Sequence, residues 1–275
     1  MIQDAQTSSH ADRSLAASAR GVLITGLLTL ALAGIMGGAS AVPPFAPSEL
    51  NPGFDESQAI LWFELAHTAD EVRAVLTPAD PEADMRGAMD TLNVYDFPFM
   101  AAYSLYFLAM ICFLRDLRRA RGPSFFGSMF YFTTGLAFVP IILAGDIIEN
   151  TQLLKLTRYG VDGIAAAIPF ETILNLEIFT RMKWAAIFLA CAHLGGTYLS
   201  LALAAGDRDG AGAGNGDRVA TMLIAATFFA TTVLGFLSIA NLDLRALLQL
   251  ATLAMILGWV GVLIHAGRRV FRRAE

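Results

Sequence analysis

Charge is what this chain of 275 residues has least of. Asp, Glu, Lys and Arg make up 16% of it, against roughly 25% in an ordinary soluble domain. With 56% hydrophobic residues and a mean hydropathy of +0.57, that scarcity excludes a water-soluble globular fold and points to a multi-pass membrane protein. Cysteine is nearly absent. Cys112 and Cys191 both fall inside apolar runs, where they read as small buried hydrophobes, not as a disulfide framework or a metal clip. There is no P-loop, no glycine fingerprint after a strand, no Cys-x-x-Cys pair and no internal repeat, so neither nucleotide nor redox chemistry is legible. A nucleic-acid partner is not expected.

What the chain does have is six apolar stretches near the roughly 20 residues that a spanning helix needs. They run over 21–42, 97–114, 125–145, 184–205, 219–240 and 247–266. Arg115, Arg118, Arg119 and Arg121 follow the second stretch, and Arg268, Arg269, Arg272 and Arg273 follow the sixth. The positive-inside rule puts both clusters in the cytoplasm. The segments then assigned inside hold 12 of the 19 basic and 7 of the 24 acidic residues. The expected fold is an all-α polytopic bundle of six spans with both termini cytoplasmic. "GGASAVPP" behind the first span also resembles a signal cleavage site, which would leave five spans in the same orientation. Retention is favoured, because the apolar stretch exceeds the usual signal core and Gly34 with Gly38 makes a small-xxx-small packing face.

Residues 43–96, between the first two spans, are acidic and too polar for lipid, and are expected to form an extracytoplasmic helical cap. Asp55 with Gln58, and Thr68 with Glu71, have the spacing of helix-start pairs. A third cap helix is expected from Asp80 with Pro81 in its first turn, running toward a kink or restart at Pro98. The remaining divisions are core spans over 97–205, a glycine-rich flexible linker over 206–218 and a closing helical hairpin with a basic end over 219–275.

The stretch "AGDIIEN", residues 144–150, raises the functional question, because it sets two carboxyl groups and a carboxamide where the third span should leave the bilayer. Asp146, Glu149 and Asn150 have i, i+3, i+4 spacing and share one helix face. Counted from the cytoplasmic ends at about 1.5 Å per residue, Asp96, Asp146 and Lys183 all come to a similar height near the outer edge of the hydrocarbon. Tyr103 lies about two turns below Asp96 by the same rise. The cap can add Glu64 and His67, expected at i, i+3 on one helix face. Each has a plainer reading: acids at a helix end are commonly just solvated, and Lys183 beside Trp184 is the usual snorkelling pair. His193 falls near midplane and most simply bonds a neighbouring backbone, His265 is interfacial, and Glu177 with Arg181 is an i, i+4 pair steadying its own helix.

"WFELAHTADEVRAVL", "YDFPFMAAYSLYF", "AGDIIENTQLL" and "RMKWAAIF" occur in that order. Over roughly 61–189 the chain resembles a family of bacterial multi-pass membrane proteins. Its marks are an E-L-A-x-T cap helix, a D-x-x-F/M-x-x-x-Y second span, a D-x-x-E-N third span and a lysine in the fourth. The resemblance carries no activity. It implies Glu64, Asp96, Tyr103, Asp146, Glu149, Asn150 and Lys183 as an ordered set, the same positions that converge by height.

Four readings follow. The leading one is an outward-facing polar pocket under the cap, open sideways to membrane lipids, that binds or modifies a lipid or small amphiphile, with a carboxylate as general acid or base. The second is a structural ion-pair network in an accessory subunit, alone as a homo-oligomer or beside a partner membrane subunit. The third is transport past His193. In the fourth, Glu64 and His67 face Asp146 and Glu149 as oxygen and nitrogen ligands of a divalent metal. No cofactor is identified.

Overall fold

The computed structural model describes residues 2–39, 42–120, 125–159, 168–206 and 215–271. Eight α-helices are found among them, and no strand: α1 Ile2–Ala39, α2 Ala59–Glu64, α3 Ala69–Val75, α4 Met85–Ala120, α5 Phe125–Leu156, α6 Phe170–Gly206, α7 Asn215–Ala240 and α8 Leu247–Phe271. Six of these, α1 and α4 to α8, are long and apolar enough to cross a membrane. Helix is forced on such segments, because in hydrocarbon every backbone N–H must find its acceptor within the segment itself. The chain is a multi-pass helical membrane protein.

The six long helices close into a ring in chain order. Each packs on the next, from α1 and α4 through α5, α6 and α7 to α8, and α8 returns to α1. The α7–α8 hairpin is thus the wall that closes the ring between α6 and α1. Helices α4 and α6 also touch across it and are buried over more than half of their most apolar stretch, the other four over less than two-fifths. Those four carry bare apolar side chains such as Leu27, Phe130, Leu223 and Leu257. Such exposure would be a liability in water and is neutral against lipid tails.

Three helices outrun the bilayer at the cap end. The 37 residues of α6 span about 55 Å at the α-helical rise, against about 30 Å of hydrocarbon. The surplus of α4 and α6 precedes the expected spans and that of α5 follows, so all three project at the cap end. Asp146, Glu149 and Asn150 therefore lie within a helix that continues to Leu156, not at its exit. At that exit the Arg86 guanidinium of α4 donates to the carbonyls of Thr157 at 2.6 Å and Tyr159 at 2.7 Å, closing backbone acceptors that the helix cannot serve.

The cap differs from expectation in three places. Asp55 makes no side-chain cap; a short 3-10 turn over Glu56–Gln58 precedes α2 instead. No helix starts at Asp80, whose carboxylate accepts the Glu82 N–H in a turn; α4 starts at Met85, with Asp84 accepting the Gly87 N–H at 2.8 Å, and runs through Pro98 without restarting. Helix α2 stops at Glu64, so His67 lies beyond it in the loop and does not share its face. Thr68 does cap α3, accepting from the Glu71 N–H at 3.1 Å, while Glu71 reaches back to the His67 N–H at 2.9 Å. Residues 215–218, expected in the linker, open α7. Residues 207–214, Gly160, Gly163, Arg121, Arg272, Arg273 and the middle of the cleavage-like stretch lie outside the described residues.

Arg245, in the α7–α8 turn, fastens the cap. Its Nη2 donates to Glu71 Oε1 at 2.7 Å, and its Nη1 to Glu71 Oε2 at 3.1 Å and to the Leu65 carbonyl at 2.8 Å. Both side chains are buried, and His67 Nδ1 lies 2.7 Å from Glu71 Oε2. Burial pushes the Glu71 carboxyl up. The hydrogen bonds from Arg245 and the His67 backbone, with the charges of Arg245 and His67, more than offset this and hold it below the ordinary 4.5. A carboxyl depressed on folding stabilises fully above its unfolded value and loses that contribution as pH falls through the folded one. Thermal unfolding in detergent should show wild-type stability falling below about pH 4.5 through this group. Glu71→Gln should flatten that limb and cost about 3 kcal/mol at neutral pH, the penalty for leaving the buried Arg245 without its counter-charge.

Candidate functional site

Where α4, α5 and α6 leave their apolar stretches, the side chains singled out by height meet. Helix α5 turns its i, i+3, i+4 face inward, and Asp146, Glu149 and Asn150 are 2%, 0% and 2% exposed. Lys183 of α6, 4% exposed, places its Nζ 2.5 Å from Glu149 Oε1, 3.2 Å from Asp146 Oδ1 and 3.1 Å from Glu64 Oε2 of the cap. Trp184 Nε1 donates to the same Glu64 oxygen at 3.2 Å. A second chain of bonds links α4 to α5: the Tyr103 hydroxyl donates to Asp146 Oδ2, and Asn150 Nδ2 donates to Asp96 Oδ2 at 2.6 Å. Among the described residues no Lys or Arg comes within ion-pair distance of Asp96.

This convergence needs helices α5 and α6 unusually close together. Gly145 makes that possible, since a Cβ there would sit 3.1 Å from Lys183 Cβ and 3.3 Å from its Cα and N. The approach puts the lysine beside the face its amine must reach. The result is three carboxyl groups around one ammonium, with a fourth, Asp96, reached through Asn150, in a place where an uncompensated charge is expensive. Acceptor capacity is left over. Glu149 Oε2 takes no hydrogen bond, and Asp146 Oδ1 has the lysine charge near it without hydrogen-bond alignment.

Beside the cluster lies a partly open cleft of about 470 Å³, within the range of about 300–1,000 Å³ usual for small-molecule sites. Glu64, Asp96, Asp146, Asn150 and Lys183 make its polar end. Thr29, Leu30 and Ala33 of α1, Ile60 and Leu61 of the cap, and Thr252, Met255 and Ile256 of α8 make its largely apolar walls. The lining includes two polar side chains that the sequence reading did not single out. Asn93, one turn before Asp96 on α4, is 2% exposed and its Nδ2 has no partner; Trp259 of α8, 4% exposed, has none for its Nε1. Trp259 stacks on Tyr103 with ring centroids 6.3 Å apart and 25° between planes. Both had a signal available: Asn93 is i−3 from Asp96, and Trp259 is a tryptophan in the middle of a span instead of at an interface.

His67 takes no part. It pairs with Glu71 and Arg245, away from Asp146 and Glu149, because the chain has already left α2. The metal set of Glu64, His67, Asp146 and Glu149 is therefore not assembled, and an ammonium sits where its cation would lie. Among the described residues no three His, Cys, Asp or Glu side chains are grouped to hold a metal. His193 faces α5, hydrogen-bonded to the Tyr131 backbone with the two rings 5.3 Å apart, in a separate small pocket that includes Arg118. His265 lies between the rings of Phe113 and Tyr198. Glu177 and Arg181 form their i, i+4 pair at 2.7 Å. Cys112 and Cys191 are free thiols.

Comparison with protein-family models, with curated proteins and with solved structures gives no match. Removing the central cation is the direct test of the cluster. Lys183→Met should cost about 3–5 kcal/mol in denaturant unfolding, since it strands several buried carboxyl groups at once. Adding Glu149→Gln should recover part of that loss. Tyr103→Phe, which deletes one neutral donor, should cost only about 1–3 kcal/mol.

Proposed function

We propose that this chain is a bacterial inner-membrane protein whose cap faces outward and whose cleft binds a lipid or other small amphiphile. The observation that carries the reading is the cleft's polarity: one end is a buried carboxylate–lysine cluster roofed by the cap, and the walls from α1 and α8 are apolar. An amphiphile matches that gradient, with its head at the cluster and its chain between α1 and α8. The outward orientation rests on the arginines at the opposite end. Arg115, Arg118 and Arg119 follow the α4 span, and Arg268 and Arg269 follow that of α8. The ordered motifs that resemble those of a bacterial membrane-protein family fall on the residues of the same cluster. The cluster also holds carboxyl groups beside an amine, the raw material for acid–base modification of a bound head group.

A second reading is favoured by one specific observation. Lys183 binds carboxylates from α2 and α5, tying the cap and two spans together as a structural lock in an accessory or self-associating membrane subunit would. The two readings part at a position that fills the cleft without touching the cluster. Thr252 lines the cleft from α8, and its hydroxyl serves only the Leu248 carbonyl of its own helix. Native mass spectrometry of detergent-purified wild-type protein should show a reproducible lipid adduct. Thr252→Phe should abolish it while shifting the melting temperature by no more than a few degrees, about the effect of 1 kcal/mol in a protein of this size. No adduct on the wild type, with Thr252→Phe melting unchanged, would leave the structural lock standing and the pocket reading refuted.

A further inference from the structure

We propose that the occupant of the cleft is cationic: a single-chain amphiphile whose head group combines an ammonium with an oxygen acceptor. This deepens the amphiphile-binding reading and rests on it. Three independent features of the wall lead to it.

The first is the distribution of charge. Among the described residues Lys183 is the one cationic side chain on the cleft wall, against three carboxyl groups, Glu64, Asp96 and Asp146. Its amine is already committed to Glu149, Glu64 and Asp146 at 2.5–3.2 Å. Asp96 is left over. Among the described residues its one hydrogen-bond partner is the Asn150 amide, and it stays partly exposed while Asp146 and Lys183 are sealed. A carboxyl group facing an otherwise apolar space is matched either by a proton or by a counter-charge from whatever fills that space, and a cationic occupant supplies the second. An anionic head group would find the Lys183 amine already taken by Glu149, Glu64 and Asp146.

The second is the aromatic wall. Phe99, Tyr103, Phe107, Trp184 and Trp259 all line the cleft. The negative faces of aromatic rings attract ammonium groups, tryptophan most strongly, and a desolvated site strengthens the attraction. Carboxylate and ring faces together are the chemistry that recognises an alkylammonium.

The third is the pair of buried donors without partners, Asn93 Nδ2 and Trp259 Nε1. Left alone, each forfeits a hydrogen bond that a buried polar group normally makes. Asn93, one turn from Asp96 on α4, is satisfied by an acceptor oxygen on the occupant's head group. The ammonium then faces Asp96, the oxygen faces Asn93, and the chain follows the α1 and α8 walls past Trp259.

The test compares three eight-carbon probes that differ only in the head: N-octylethanolammonium, octanol and octyl phosphate. Each is titrated into wild-type protein in a neutral maltoside detergent, with quenching of tryptophan fluorescence as readout, since Trp184 and Trp259 line the cleft. The ammonium should bind at least about tenfold more tightly than the alcohol, and the phosphate weakest. Asp96→Asn, close to isosteric, should cut ammonium affinity about tenfold and leave the alcohol unchanged. Because the head-group series runs on the wild type, the inference stays testable even where that variant fails to fold. Equal binding of ammonium and alcohol, or tighter binding of the phosphate, overturns the cationic head while the cleft reading stands. Failure of all three probes, together with no adduct on the purified protein, overturns the cleft reading itself.

Discussion

A buried ammonium has to be surrounded, and much of this structure follows from how Lys183 is surrounded. Taking the charge out of water costs several kcal/mol even after relaxation, so the amine must be met by acceptors from whichever elements are close enough. Glu149 and Asp146 come from α5 and Glu64 from the cap, three contacts that no local stretch of chain could supply. Gly145 lets the two helices approach to the needed distance, and Tyr103 and Asn150 carry the network on to α4 and Asp96. The position of the cap is therefore an electrostatic consequence. Glu64 ties it to Lys183 and Trp184 on one side, and Glu71 ties it to Arg245 on the other.

The cleft is a by-product of the same arrangement and of the ring. Polar groups are concentrated on α4, α5 and α6, the helices that extend beyond the bilayer at the cap end, while α1 and α8 bring apolar wall. Closing the ring by packing α8 on α1 sets those walls opposite the cluster. A purely structural ion-pair lock does not by itself account for a neighbouring, partly open space of about 470 Å³ with unmatched donors on its wall. That coexistence favours binding over locking. The far end of the bundle has a different character. There Asp116 accepts from Ser14 of α1 and from Arg115, and Arg115 and Arg118 lie over the rings of Phe132 and Tyr131, which anchors the helix ends.

Legibility followed the range of the forces involved. The six spans could be read because hydrocarbon imposes one backbone solution on any long apolar run. The shared face of Asp146, Glu149 and Asn150 could be read because helical periodicity is local. The Thr68 cap was legible for the same reason. The mistakes were also local. Asp80 and Asp84 are both plausible helix starters, and the choice of Asp84 goes with a chain pinned beforehand by the Ala46–Thr77 and Ala79–Pro44 backbone bonds. His67 was placed on a helix face that ends at Glu64, because its partners Glu71 and Arg245 draw it the other way.

Composition and periodicity alone determined that this chain crosses a membrane as helices, where the six apolar spans lie, and that several ionisable groups share a height near one end. Those properties depend on solvent and on spacing along a single helix, which a sequence states outright. Tertiary structure decided which of the groups touch, that Lys183 stands at their centre, that Asp96 is left without a cation, and that Asn93 and Trp259 complete the wall of a cleft. Those outcomes depend on the rotation of each helix about its axis and on the closure of α8 against α1, and both are set by packing between segments far apart in the chain.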